Sequence, residues 1–156
     1  AELLKPFNVD LLVCDPYLQQ SSLPADCQLV SKDELLRRSD IVSVHASRLD
    51  NKGVLIETGD YSIMKTGAIL VNLSRGGMID EEGLIAALRS GQIAGAGLDV
   101  FGAEPYQGPL CEFENVILTP HSATLTVETR VAMEMECAEK SIRFLRGDID
   151  PKEKVV

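Results

Sequence analysis

Four side chains in this sequence combine a useful chemistry with a promising place in the chain: Arg75, Glu104, His121 and Asp15. Each stands at or just beyond the end of an apolar run. Arg75 offers a planar fork of donors that can hold a carboxylate through two hydrogen bonds. The same residue suits a loop arginine that bonds carbonyls or the acidic start of a helix, and spacing alone favours that reading. Glu104 precedes Pro105 in a Gly- and Pro-rich loop, where, before anything else is considered, it reads as an exposed loop carboxylate. His121 is one of two histidines and follows a strand rather than lying on a helix face, so proton transfer and a structural role both fit. Asp15 ends the first strand. An acid there can accept from both hydroxyls of a ribose and repel a 2′-phosphate, or it can form a turn before Pro16. His45 also ends a strand, with no acid or arginine near it in sequence, and reads as a lining residue.

The elements that must position these residues centre on Ala68 to Leu88, AILVNLSRGGMIDEEGLIAAL. Ile69, Leu70 and Val71 form a short apolar run, the pattern of a strand buried on both faces of a parallel sheet. Asn72 to Gly77 breaks it. Asp80 can cap the next helix, Glu81 and Glu82 suit its first turn, and Gly91 stops it. In open α/β sheets ligands bind beyond the carboxyl ends of the strands, which is where Arg75 falls.

Earlier strands are expected at Val9 to Asp15, Cys27 to Val30 and Asp40 to His45. Ser31 with Glu34 makes a capping box for a helix from Lys32 to Arg38. Asn51 to Lys65 reads as helical in parts, interrupted by Gly59. Residues 1 to 7 read as the end of a helix terminated by Pro6. Further strands are expected at Ala94 to Val100 and Asn115 to Leu118, separated by a loop. Gly95 and Gly97 resemble a nucleotide-binding GxG, but a strand follows, so close packing explains them better. One long helix, about Val127 to Leu145, places apolar residues at spacings of three and four, and a polar tail follows. Alternating strands and helices give an α/β fold, a doubly wound parallel sheet.

The length, 156 residues, fits one domain with a sizeable core. A net charge of −9 without a basic cluster argues against nucleic acid or an anionic membrane as partner. No apolar run reaches the roughly 20 residues of a membrane span, and no signal peptide precedes the first strand. Cys14, Cys27, Cys111 and Cys137 show neither a close pair nor a metal-ligand spacing, and read as reduced, buried thiols of a cytoplasmic protein.

Taken together, the segments VNLSRGGMID, GLDVFGAEP and NVILTPHSA, in this order and spacing, resemble those of the D-isomer-specific 2-hydroxyacid dehydrogenase family. The resemblance covers nearly the whole chain. It implies a Rossmann-like NAD-binding domain, truncated at its N-terminal side, and an enzyme that moves a hydride between NAD(H) and a 2-oxo or D-2-hydroxy acid. It implies that Arg75 binds the substrate carboxylate, His121 is the acid/base and Glu104 supports it. For the cofactor it implies Asp15 on the adenine ribose, Asp99 near the nicotinamide carboxamide, and contacts from His45, Ser74 and Ser122. It implies no metal and a homodimeric parent protein. Glu104, rather than glutamine, speaks against the formate dehydrogenase branch.

Two stretches depart from the family pattern: HASRLD replaces the usual His-x-Pro turn, and HSAT stands where His-x-Gly-Gly is frequent. The family's glycine loop and first strand would fall before residue 1. That strand would lie between the strands ending at Asp15 and His45. The expected division is therefore 1–125, a nucleotide-binding domain without those parts, and 126–156, a C-terminal helix and tail returning toward the substrate domain. On this reading the chain alone is inactive. Some relatives act as NAD-sensing corepressors with the same fold, so a binding role is the competing class.

Overall fold

The computed structural model describes residues 2–46 and 53–148. In chain order its strands and α-helices are β1 (Leu11–Val13), β2 (Cys27–Leu29), α1 (Lys32–Arg38), β3 (Ile41–Val44), α2 (Thr58–Ile63), β4 (Ala68–Asn72), α3 (Glu81–Ser90), β5 (Ile93–Leu98), β6 (Val116–Leu118) and α4 (Val127–Leu145). Short 3-10 turns occupy Glu2–Phe7, Gln20–Ser22 and Pro109–Glu112. Pro6 therefore sits inside a turn of helix rather than ending one.

All strand pairing is parallel, as the alternation of strands and helices requires. The strands form two sheets, β1-β2 and β3-β4-β5-β6. No pairing joins the two sheets among the described residues. Because β3 to β6 all run the same way, His45, the residues after Asn72, Asp99 and Thr119 leave the four-stranded sheet at one edge.

The core lies under this larger sheet. Leu36, Leu70, Leu84, Ile93 and Leu110 are its fully buried members. Strand β4 is not covered on both faces as its apolar run suggests: Ala68, Leu70 and Asn72 are buried, whereas Ile69 is 40% exposed. Only one of its faces packs on the core, so burial alternates with the pleat.

Local sequence sets the helix ends, with two exceptions. Ser31 Oγ accepts the Glu34 N–H at 3.2 Å, and Gly91 ends α3 with a φ of 77° that favours glycine. Asp80 occupies the N-cap position of α3 but does not cap it. Its carboxylate instead accepts the Thr58 hydroxyl, and its carbonyl accepts the Tyr61 hydroxyl at 2.8 Å. Gly59 lies within α2 rather than interrupting it, because Glu57 and Asp60 form a reciprocal capping box that anchors the first turn. Asn51 and Lys52, expected to start that helical region, lie outside the described residues, as do Ser47 to Asp50 of the HASRLD departure.

All four cysteines are free, but only Cys27 is buried; Cys14, Cys111 and Cys137 are exposed, Cys111 beside the buried Leu110. Helix α4 spans the expected residues. Thr126 caps it, accepting the Thr129 N–H at 3.2 Å, and none of its side chains is buried. The chain divides into two compact units, Ala1–Pro120 and His121–Val156. Among the described residues no helix is long and apolar enough to cross a membrane, and no group of His, Cys, Asp and Glu is arranged to hold a metal.

Candidate active site

The carboxyl end of β4 is organised by Asn72, which is completely buried. Its backbone carbonyl accepts the Asp99 N–H at 3.0 Å, tying β4 to the end of β5. Its side chain folds over the following turn. Nδ2 donates to the Arg75 carbonyl at 3.1 Å, while Oδ1 accepts the Ser74 N–H at 3.1 Å and the Ser74 hydroxyl at 2.8 Å. The Ser74 N–H and the Arg75 carbonyl are thus satisfied without a strand partner. Arg75 stands exposed at its tip, with one guanidinium nitrogen donating to the Ser74 carbonyl at 2.8 Å. Arg75 thus bonds a carbonyl, as a loop arginine does.

Glu104 lies in the loop after β5, exposed, and its Oε1 accepts the Phe101 N–H at 3.1 Å. This loop meets the Arg75 turn directly. A Cβ on Gly76 would stand 1.8 Å from the Phe101 carbonyl oxygen, so only glycine permits the contact. Tyr106 adds a second tie by donating to Glu81, in the first turn of α3, at 2.5 Å. Its ring stacks on Phe101 with centroids 4.5 Å apart. Burial and the hydrogen bond to Glu81 push the Tyr106 hydroxyl up to about 12. Tyr61, which joins α2 to the start of α3, is raised further, by burial first and then by Asp80 and Asp60.

Asp99 is the second buried polar residue, 1% exposed, and accepts the Thr119 hydroxyl from the end of β6. Thr119 in turn donates its N–H to the Leu98 carbonyl at 3.0 Å. Thr119, Asp99 and Asn72 consequently form a polar row along the carboxyl ends of β6, β5 and β4. His45 is exposed, its Nε2 2.9 Å from Ser43 Oγ. Asp15 is half-buried and accepts the Tyr17 N–H at 2.8 Å, the turn that its position before Pro16 suggests. Gly95 is required where it stands, because a Cβ would come 2.8 Å from the Asn115 carbonyl oxygen.

The structure therefore brings Arg75, Ser74 and Glu104 onto two abutting loops of the first unit. His121 and Ser122 belong to the second unit. His121 takes a φ of 52°, uncommon for a residue with a side chain, and the Ser122 carbonyl accepts the Leu125 N–H at 2.9 Å. Sequence reasoning passed over Asn72, Gly76 and Tyr106. A signal for Asn72 was present: an Asn followed two residues later by Ser at the end of an apolar strand is the pattern of an Asx turn.

Comparison with known proteins gives one answer. The family described as D-isomer specific 2-hydroxyacid dehydrogenase, NAD binding domain, matches residues 1–123. A glyoxylate reductase of Aeropyrum pernix is 46% identical over 123 residues, covering 78% of this chain and 37% of that protein. A D-3-phosphoglycerate dehydrogenase of Synechocystis is 39% identical over 149 residues, covering 94% of this chain and 27% of that protein. Among solved structures, the NAD-complexed D-isomer specific 2-hydroxyacid dehydrogenase of Lactobacillus delbrueckii ssp. bulgaricus superposes with a TM-score of 0.84 at 26% identity, over 97% of this chain and half of its own. The chain thus spans well under two thirds of the length of these relatives.

Proposed function

The chain belongs to the D-isomer specific 2-hydroxyacid dehydrogenase family, and from that membership we propose that the whole protein interconverts a small 2-oxo acid and a D-2-hydroxy acid with NAD(H). The observation that carries the proposal is the pair of abutting loops. The two loops that match the family's VNLSRGGMID and GLDVFGAEP segments meet at the Gly76–Phe101 contact, with Arg75 on one and Glu104 on the other.

Arg75 clamps the substrate carboxylate, and the clamp fixes the direction from which the carbonyl carbon is approached. His121 gives a proton to the carbonyl oxygen in reduction and takes one from the hydroxyl in oxidation. Glu104 supports His121 in that role. Bound NAD(H) supplies the hydride chemistry, which no side chain here can. The residues at the strand ends suit such a cofactor: Asp15 for the ribose hydroxyls, and Asp99, His45, Ser74 and Ser122 toward its other end. The protein is further proposed to be a cytoplasmic homodimer that engages neither nucleic acid nor membrane.

Turnover of a panel of 2-oxo acids, glyoxylate among them, by the whole protein with NADH absorbance as the readout tests the proposal. Reduction should fall with rising pH while oxidation rises, since the two directions need opposite protonation states of one group. Absence of turnover with every acid, despite NADH binding, would return the protein to the class of NAD-dependent binding proteins.

A further inference from the structure

We infer that Asn72 is a positioning residue for Arg75, its buried carboxamide setting the place of the carboxylate clamp; the inference rests on the function proposed above. The geometry that points to it is local and complete. A turn that leaves a strand exposes N–H and C=O groups that the sheet no longer pairs, and such a turn is free to sample several conformations unless those groups are held. Here one side chain holds two of them, and a hydroxyl besides. Nδ2 fixes the Arg75 carbonyl, and Oδ1 takes both the amide and the hydroxyl of Ser74. The Ser74 carbonyl is then placed to accept from the Arg75 guanidinium itself at 2.8 Å, so the fork is tied to a peptide that Asn72 has already oriented.

Asn72 can serve as such a reference because it cannot move. It is 0% exposed and pairs in register with Val44 of β3, while its carbonyl is bonded to Asp99, the residue after β5. The sheet thus sets the carboxamide, the carboxamide sets the turn, and the turn sets the guanidinium. A merely structural asparagine at a strand end would satisfy the turn without reaching the backbone of the residue that carries the chemistry. Aspartate at this position keeps Oδ1 for Ser74 but has no donor for the Arg75 carbonyl, so the two halves of the clasp can be separated.

Asn72→Ala and Asn72→Asp in the whole protein, with Arg75→Lys alongside, provide the test. For both Asn72 variants KM for the 2-oxo acid should rise and kcat fall, each about tenfold, because small misplacements of an orienting group cost this much or more. KM for NADH should rise less than KM for the oxo acid, since the clasp holds Arg75, the residue assigned to the carboxylate, and only one of the residues assigned to the cofactor, Ser74. Amide hydrogen exchange at Ser74 should speed up in Asn72→Ala and stay slow in Asn72→Asp, which retains the acceptor. Unchanged oxo-acid kinetics in a folded Asn72→Ala protein, with Arg75→Lys crippled, overturns the inference and leaves the proposed function standing. Equal rises in the two KM values, or variants that fail to fold, make Asn72 a stability residue and also overturn it. If Arg75→Lys has full activity, the clamp itself is wrong and this inference falls with it, while the turnover leaves the proposed reaction standing.

Discussion

The two sheets of the first unit share one kind of pairing and differ in almost everything that surrounds it. The four-stranded sheet draws Val42, Val44, Ala68, Leu70, Ile93, Ala96 and Leu98 into the buried cluster, whereas neither β1 nor β2 contributes a member. All three residues of β1 are only half-buried. What secures β2 instead is polar. Gln20 donates to the Cys27 carbonyl at 2.9 Å and accepts the Leu29 N–H at 2.8 Å, closing the strand's outer edge, and Arg38 reaches Gln28 at 3.1 Å. Hydrogen bonds of this kind contribute on the order of 1 kcal/mol each after solvent exchange, while a buried leucine contributes about 2 kcal/mol or more. The difference teaches where precision resides: the candidate clamp is mounted on the packed sheet, and the candidate ribose acid on the one held by its edges.

The sharpest way to break this comparison is to cut one leucine from each region. Leu84 is fully buried under the larger sheet, and Leu84→Ala should cost about 2–5 kcal/mol in urea unfolding of the chain. Leu12→Ala, in half-buried β1, should cost about 1 kcal/mol or less. Equal costs would mean that β1 packs as tightly as β4 and that the contrast is false.

Next in size is Arg75→Lys in the whole protein. An ammonium cannot make two parallel contacts, so kcat/KM should fall by about 30- to 100-fold, equivalent to about 2–3 kcal/mol. Both KM and kcat should change, since one contact binds and orients. Activity within twofold of the parent would falsify the clamp. A smaller effect is expected on the weaker sheet. Asp15→Ser should narrow the preference for NAD over NADP by about tenfold, as the charge opposing a 2′-phosphate is lost. If the parent protein already uses both cofactors equally, Asp15 is only the turn former that its bond to the Tyr17 amide makes it.

The sequence carried the order and type of most elements because periodicity and end signals agree along α1, α3 and α4. Ser31, Gly91 and the three- and four-residue spacing of α4 act within a single turn of chain and are legible for that reason. Asp80 misled because its partner, Thr58, is remote in sequence: a carboxylate that finds a hydroxyl across the fold no longer caps its own helix. Ile69 misled because an apolar run does not reveal how many faces the rest of the molecule covers. The candidate site was legible as residue types on strand ends. Its wiring was not, since the Gly76–Phe101 contact and the Tyr106–Glu81 bond join segments that only the sheet brings together.

That last bond gives the smallest effect and the one most specific to the packed region. Tyr106 ties the Glu104 loop to α3, and Tyr106→Phe removes the hydroxyl while leaving the stack on Phe101. At neutral pH the loss should be about 1 kcal/mol, the usual net worth of one such bond. Its pH dependence follows from the direction of the shift. The folded hydroxyl titrates near 12 and a free one near 10, so the folded state favours the protonated form. The stabilisation is fully present below about pH 10 and is lost as pH rises toward 12, where folded and unfolded chains are both deprotonated. Other raised hydroxyls, Tyr61 among them, are common to parent and variant and cancel in the difference. The measured gap in unfolding free energy between parent and Tyr106→Phe should therefore be flat from neutral pH to about 10 and shrink above it. A gap that is absent at neutral pH, or that persists unchanged through pH 12, would show that the loop is held by the aromatic stack and the Gly76 contact alone.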